Sequence, residues 1–240
     1  GGGTWQLVDA TGMADPAPVA QTFFANKSIT ENFRLDGIVT LVDAKHIEQH
    51  LDEEKPEGAE NESVEQVAFA DVLLLNKTDL VSSDQLEKIE DRIRHINPYA
   101  KIIRTERCST SLDEVIGLNT FSLDRVLEVE PDFLTSDHDH EHDDDIKSLC
   151  LVSDEPLDSK KFQAWFGDLI QTRGVDILRS KGILDFKDDN DRFVFQGVHM
   201  LFDSQPGEPW GDESRHSRLV FIGRELNQDY LQETLKLCLA

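Results

Sequence analysis

The chain reads as an α/β protein: a parallel sheet with covering helices, followed by a small α+β domain built on an antiparallel sheet. Three observations predict this. Apolar runs at 36–43, 71–75 and around Ile102 and Ile103 alternate with helix-like segments through the first half, and such alternation implies βαβ units. Those runs are nearly continuous, the pattern of strands covered on both faces. From 147 onward the order becomes strand, helix, three strand-like runs and a closing helix, which suits an antiparallel sheet with its helices packed against it.

Taken in order, residues 5–9 (WQLVD) read as a short strand ending in Asp9, and Gly12 with Asp15-Pro16-Ala17-Pro18 as a turn before a helix around 17–25. DGIVTLVD (36–43) is β-rich and again ends in an aspartate. The apolar residues 72–75 stop at Asn76, Lys77, Thr78 and Asp79. Leu86, Ile89, Ile93 and Ile96 then recur at helical spacing, Ser82 and Gln85 have the separation of a capping box, and Pro98 closes the helix. The charged, low-complexity stretch SDHDHEHDDD reads as a linker. The expected division is therefore 1–135, a linker at 136–146, and 147–240.

In the last part a strand at 147–153 precedes a helix with Phe162, Trp165, Phe166, Leu169 and Ile170 on one face. Strand-like runs follow at 175–186, 192–203 and 217–223, then a helix capped by Asn227 that carries Leu231, Leu235 and Cys238. Phe193, Phe195 and Phe202 are expected in the core, with His199 inside an apolar strand beside them. Arg215, Arg218 and Arg224 are expected in surface or interdomain pairs.

Charge excludes whole classes of partner. The 240 residues hold 48 acidic against 24 basic side chains, a formal net of −24, and that field repels nucleic acid and anionic membrane surfaces. No apolar run approaches the ~20 residues needed to cross a bilayer. Cys108, Cys150 and Cys238 are widely spaced with no C-x-x-C pair, so neither a disulfide framework nor a thiolate metal site is expected. That usage suits a reducing compartment: the cytoplasm, with the plastid stroma as the alternative.

N-K-x-D at the end of an apolar strand has a specific chemical use. Guanine presents an N1–H and a 2-amino group on one edge, and the Asp79 carboxylate can accept both. The Asn76 amide can bond the N7/O6 side, and the Lys77 stem can lie across the ring. The carboxyl end of a parallel strand is where open α/β sheets bind ligands. The plainer reading is a polar turn with Asp79 opening a helix. A second element, Asp9-Ala10-Thr11-Gly12, places a strand-ending acid next to a glycine turn, as in a Walker B element that holds Mg²⁺ and approaches the γ-phosphate.

Together, ATGMADPAPVAQTFF, LDGIVTLVDAKH, VAFADVLLLNKTDL, the HDHEH tract and SRLVFIGRELNQDYLQETL resemble the CobW-like family of P-loop GTPases, which includes zinc-regulated metallochaperones. The resemblance implies a partial P-loop GTPase parallel sheet, lacking the P-loop strand, followed by a CobW C-terminal domain. It implies that Asn76, Lys77 and Asp79 read guanine, that Gly12 approaches GTP, and that Asp9 is the Mg²⁺-facing acid. Asp9 stands where the family usually has glutamate. No G-x-x-x-x-G-K-[ST] occurs, nor any Gly-Lys dipeptide, nor the family's C-x-C-C motif. The sequence is thus expected to be the carboxy-terminal part of such a GTPase, with turnover near background.

His138, His140 and His142 alternate with Asp139 and Glu141, a ligand set suited to Zn²⁺, Co²⁺ or Ni²⁺; a solvated acidic linker is the plain alternative. His46 and His50 are spaced to share a helix face. The leading expectation is GTP-coupled delivery of zinc to a client protein. The alternatives are a non-catalytic metal-binding or protein-interaction module, and cobalt handling in a cobalamin pathway. A missing central strand would also expose apolar strand edges and favour self-association.

Overall fold

The computed structural model describes residues 4–10, 12, 14–53, 55, 61–118, 120 and 146–240. They divide into two compact units, one of residues up to Val19 with Leu35–Thr120, the other of Ala20–Arg34 with the described residues from Ile146 on.

The first unit is built on three parallel strands, β1 (Val39–Asp43), β2 (Val72–Asn76) and β3 (Lys101–Arg104), in the order β1-β2-β3. Helices supply the crossovers that parallel pairing requires. The first helix among the described residues is α1 (Ala17–Ala25), followed by the single turn α2 (Lys27–Thr30); from Ala20 on, these residues belong to the second unit. Between β1 and β2 lie α3 (Ile47–Leu51) and α4 (Glu62–Phe69), and between β2 and β3 lies α5 (Ser83–Ile96). β2 is central and every one of its residues is buried, which is why the sequence shows an unbroken apolar run there. The capping box forms as expected: Ser82 Oγ accepts the Gln85 N–H and Gln85 Oε1 accepts the Ser82 N–H. Leu86, Ile89, Ile93 and Ile96 are the buried face of α5.

Residues 5–9 depart from expectation. They form no strand, and Leu7 is 93% exposed. An extended segment becomes a strand only with a neighbour to share its backbone hydrogen bonds, and no described strand provides one. β1 is an edge strand among the described residues, with Val39 and Leu41 exposed on it.

The second unit contains an antiparallel sheet of order β4-β8-β5-β6-β7. Its strands are β4 (Ile146–Ser153), β5 (Ile177–Leu184), β6 (Asp191–Val198), β7 (Leu201–Pro209) and β8 (Ser217–Arg224), with helices α6 (Ser159–Arg173) and α7 (Gln228–Leu235). Asp158 caps α6 through the Lys160 and Lys161 N–H groups, and Asn227 caps α7 through the Tyr230 N–H. Phe162, Phe166, Leu231 and Leu235 from the helices pack on Leu149, Leu151, Phe195 and Phe221 from the strands. Gly182 makes room for this core, since a Cβ there would stand 2.1 Å from Phe195 Cε1.

Here too one expected element splits. The run at 192–203 is a hairpin: Val198 pairs with Leu201, and His199 and Met200 form the turn. His199 takes a left-handed conformation, φ 50°, one that histidine adopts more readily than most side chains. It is half-buried at a turn rather than inside a strand, and its N–H donates to Leu178 O. Phe195 is buried and Phe193 partly so, but Phe202 is 48% exposed on the edge strand β7, edge-on to Phe166. Arg215 forms an ion pair with Asp185 inside the second unit. The three cysteines are free thiols. No helix among the described residues is long and apolar enough to cross a membrane.

Candidate functional site

The carboxyl edge of the parallel sheet gathers the polar groups. Register fixes this: Asp43 lies opposite Asn76 at the ends of β1 and β2, and Leu75 lies opposite Arg104 at the end of β3. The three strands therefore run out together, and whatever follows each of them meets at one edge.

Asn76 is the buried centre, 6% exposed. Its Oδ1 accepts the Cys108 N–H at 2.9 Å and the Thr105 hydroxyl at 3.2 Å, while Nδ2 donates to Cys108 Sγ at 3.2 Å. These bonds fix which way the amide points and leave one Nδ2 hydrogen for another acceptor. The loop after β3 is shaped for this contact, because Arg107 and Cys108 are both left-handed, φ 52° and 55°. That conformation costs roughly 1–2 kcal/mol per residue without glycine. Thr78 closes the arrangement, its N–H and hydroxyl both donating to Thr105 O.

Lys77 is also left-handed, φ 63° and ψ 34°. Its ammonium donates to Asp43 Oδ2 at 2.7 Å, bridging from the end of β2 to the end of β1. The same oxygen lies 2.9 Å from His46 Nδ1, and Asp43 Oδ1 accepts the Lys45 N–H. Burial pushes the Asp43 carboxyl up, but bonds from Lys77, His46 and the Lys45 N–H outweigh it and hold the group at about 2. Asp79 follows in a 3₁₀ turn (Thr78–Leu80) with its carboxylate exposed. The edge thus presents a free carboxylate, an oriented amide N–H and a lysine stem. The carboxylate can accept N–H groups and the amide can donate to an acceptor, so the edge can hydrogen-bond a ligand that offers both.

The structure thus brings Asn76, Lys77 and Asp79 together. Asp9 stands in exposed coil, and Gly12 is held separately, its carbonyl accepting from Gln66 Nε2 of α4, which also binds Ala14 O. No hydrogen bond links Asp9 or Gly12 to the other three among the described residues. His46 and His50 do not share a helix face: His46 stands at the N-cap position just outside α3 with no side-chain capping bond, and His50 is exposed within the helix. His138, His140 and His142 lie outside the described residues, among which no group of three metal-ligating side chains forms. Sequence reasoning missed Asp43, Thr105 and Cys108 as members of the site. The available signal was that two apolar strands end in polar residues at matching positions, which makes their end groups neighbours once the strands pair in parallel.

An α/β unit with polar side chains gathered at the carboxyl edge of its parallel sheet, followed by an antiparallel α+β unit, defines the class, and comparison with known proteins gives the family. Residues 5–104 match the CobW/HypB/UreG nucleotide-binding domain and residues 146–239 the CobW C-terminal domain. The chain is 32% identical over 228 residues to the zinc chaperone YjiA of Escherichia coli, covering 94% of this chain and 68% of that protein. It is 31% identical over 255 residues to the zinc-regulated GTPase metalloprotein activator 1 of Schizosaccharomyces pombe, covering 92% and 61% respectively. The crystal structure of Zn(II)-bound YjiA GTPase from E. coli matches with a TM-score of 0.79 at 29% identity, over 95% of this chain and 69% of that one. This chain belongs to the CobW family.

Proposed function

We propose that this protein is a guanine-nucleotide-binding metallochaperone in which nucleotide occupancy governs delivery of zinc to a client protein. The observation that carries the reading is the locked Asn76 amide flanked by Lys77 and the exposed Asp79 carboxylate at the carboxyl edge of a parallel sheet. Relatives named as zinc chaperones and as a zinc-regulated GTPase support the metal and the nucleotide. Mg²⁺ fits the hard oxygen of Asp9, whose carboxylate is exposed. With no cluster of ligands among the described residues, the ion would complete its shell with water and phosphate, as Mg²⁺ commonly does. A Cβ added at Gly12 would meet no atom within 4 Å, so the backbone there is open to a phosphate.

Competition against a fluorescent guanine nucleotide tests the base reader. GDP is expected to displace the probe and ADP to fail. Asp79→Asn removes one of two acceptor positions and should weaken GDP by about a hundredfold while favouring xanthine, whose 2-oxo group accepts from the new amide. Equal displacement by GDP and ADP would sink the guanine reading.

The metal half is carried by His138, His140 and His142. Zinc titration followed with a chromogenic chelator should show a site that disappears when all three become alanine, with Co²⁺ and Ni²⁺ as competing ions. An unchanged titration in the triple variant removes the tract from the mechanism.

A further inference from the structure

Lys77 is exposed, yet its side chain is not left loose. Its backbone is left-handed, and its ammonium is tied to a carboxylate on the neighbouring strand. A left-handed lysine persists only where its surroundings over-determine it. Here three contacts do so: the Leu80 N–H donates to Lys77 O, the Ala44 N–H donates to Asn76 O, and Asp43 receives the ammonium. Neighbouring strands lie about 4.8 Å apart, so a lysine rooted at the end of β2 and anchored at the end of β1 must lay its methylenes along the sheet edge. Held at both ends, those methylenes can serve as an apolar bar.

Asp43 is well suited to set the position of that bar. Its Oδ1 is fixed by the Lys45 N–H, so the carboxylate cannot rotate freely, and its Oδ2 holds both Lys77 and His46. Nothing in N-K-x-D itself supplies such an anchor; it comes from the aspartate that ends the LVD strand.

We propose that Asp43 is a specificity-determining positioning residue of the base site. It holds Lys77 across the ends of β1 and β2, so that the lysine stem forms one wall against the face of a guanine ring. The proposal rests on the guanine reading and adds the residue that sets the geometry of its lysine.

Asp43→Asn is the variant of choice, since its amide oxygen can still accept the Lys45 N–H while the negative charge that holds the Lys77 ammonium is lost. GDP affinity is measured for the wild type, Asp43→Asn, Lys77→Ala and the double variant. The rate at which Lys77 is acetylated by a small reagent, followed by mass spectrometry, reports the ion pair without nucleotide. Asp43→Asn is expected to weaken GDP about tenfold, the scale of one charge-assisted hydrogen bond, and to raise Lys77 acetylation several-fold. In the Lys77→Ala background the same change should cost nothing further, and Asp43→Glu should recover part of the loss. A purely structural Asp43 would lower melting temperature equally in both backgrounds and show no such dependence on Lys77. The proposal is overturned if Asp43→Asn binds GDP like the wild type, or if its loss persists in Lys77→Ala. It is also overturned if Lys77 acetylation does not change. Failure of the wild type to bind GDP would instead overturn the guanine reading, and the proposal with it.

Discussion

Asn97→Ala is expected to destabilise the first unit by on the order of 4 kcal/mol, because it strands several buried backbone groups at once. Asn97 is 1% exposed, and its side chain makes five hydrogen bonds. Nδ2 donates to Val67 O, Ala68 O and Ala70 O at and just past the end of α4, sharing Val67 O with the Ala70 N–H. Oδ1 accepts the Tyr99 and Ala100 N–H groups, which lead into β3. One amide therefore joins the end of α4, the approach to β2 and the approach to β3. A helix end buried without such partners pays for each orphaned carbonyl, and alanine offers none. The melting transition of this unit should fall by on the order of 15–30 °C, using the ~4–8 °C per kcal/mol typical of a unit this size. Asn97→Asp keeps the acceptor and loses the donors, so it should fall at least as far. A shift of only a degree or two in either variant would show that water replaces the amide, and that the α4–β2–β3 junction is less closed than its burial indicates. GDP binding is a second readout, since β2 begins at this junction and ends at Asn76.

What the sequence made legible was local. The capping box of Ser82 and Gln85, the apolar stripe of α5 and the buried run of β2 depend on residues within a few positions of each other. So does the placement of N-K-x-D, because an apolar strand that stops at polar residues marks its own end. Features that depend on a distant neighbour were hidden. WQLVD has the composition of a strand but no ladder among the described residues, and its Leu7 lies open to solvent. The hairpin at His199-Met200 carries no glycine, asparagine or aspartate, the usual mark of a two-residue turn, so two strands read as one. Phe202 looks like core by type and pattern, yet it lies on β7 at the sheet edge. Asp43 illustrates the same limit within the site. Its own segment shows only that a strand ends in an acid, and its hold on Lys77 follows from register with a strand 33 residues further on.

Arg215→Ala is expected to cost the second unit about 3 kcal/mol, the lower end of the range for stranding a buried charge, because the Asp185 carboxylate is buried while Arg215 is partly exposed. Asp185 is the reason. Its side chain is 3% exposed, and Arg215 reaches its Oδ1 through both Nε and Nη2. Nη2 also donates to Phe186 O and Asp189 O, so a single guanidinium satisfies a carboxylate and two carbonyls of the loop after β5. The backbone around Asp185 is committed elsewhere, its N–H to Ser217 Oγ and its carbonyl to Leu157 N–H, which leaves it no freedom to turn the carboxylate toward water. Arg215→Lys keeps the charge but offers a compact ammonium in place of a planar fork, so it should recover only part of the loss. Removing both partners separates the alternatives. If most of the cost is the abandoned carboxylate, the double variant Arg215→Met with Asp185→Leu should regain a large part of the stability lost in Arg215→Ala, because replacing a buried pair by apolar groups is often nearly neutral. If instead the carbonyl contacts of Nη2 dominate, the double variant will melt as low as the single one. Chemical denaturation of the three variants decides between a pair kept for its charge and an arginine kept to tie down the loop between β5 and β6.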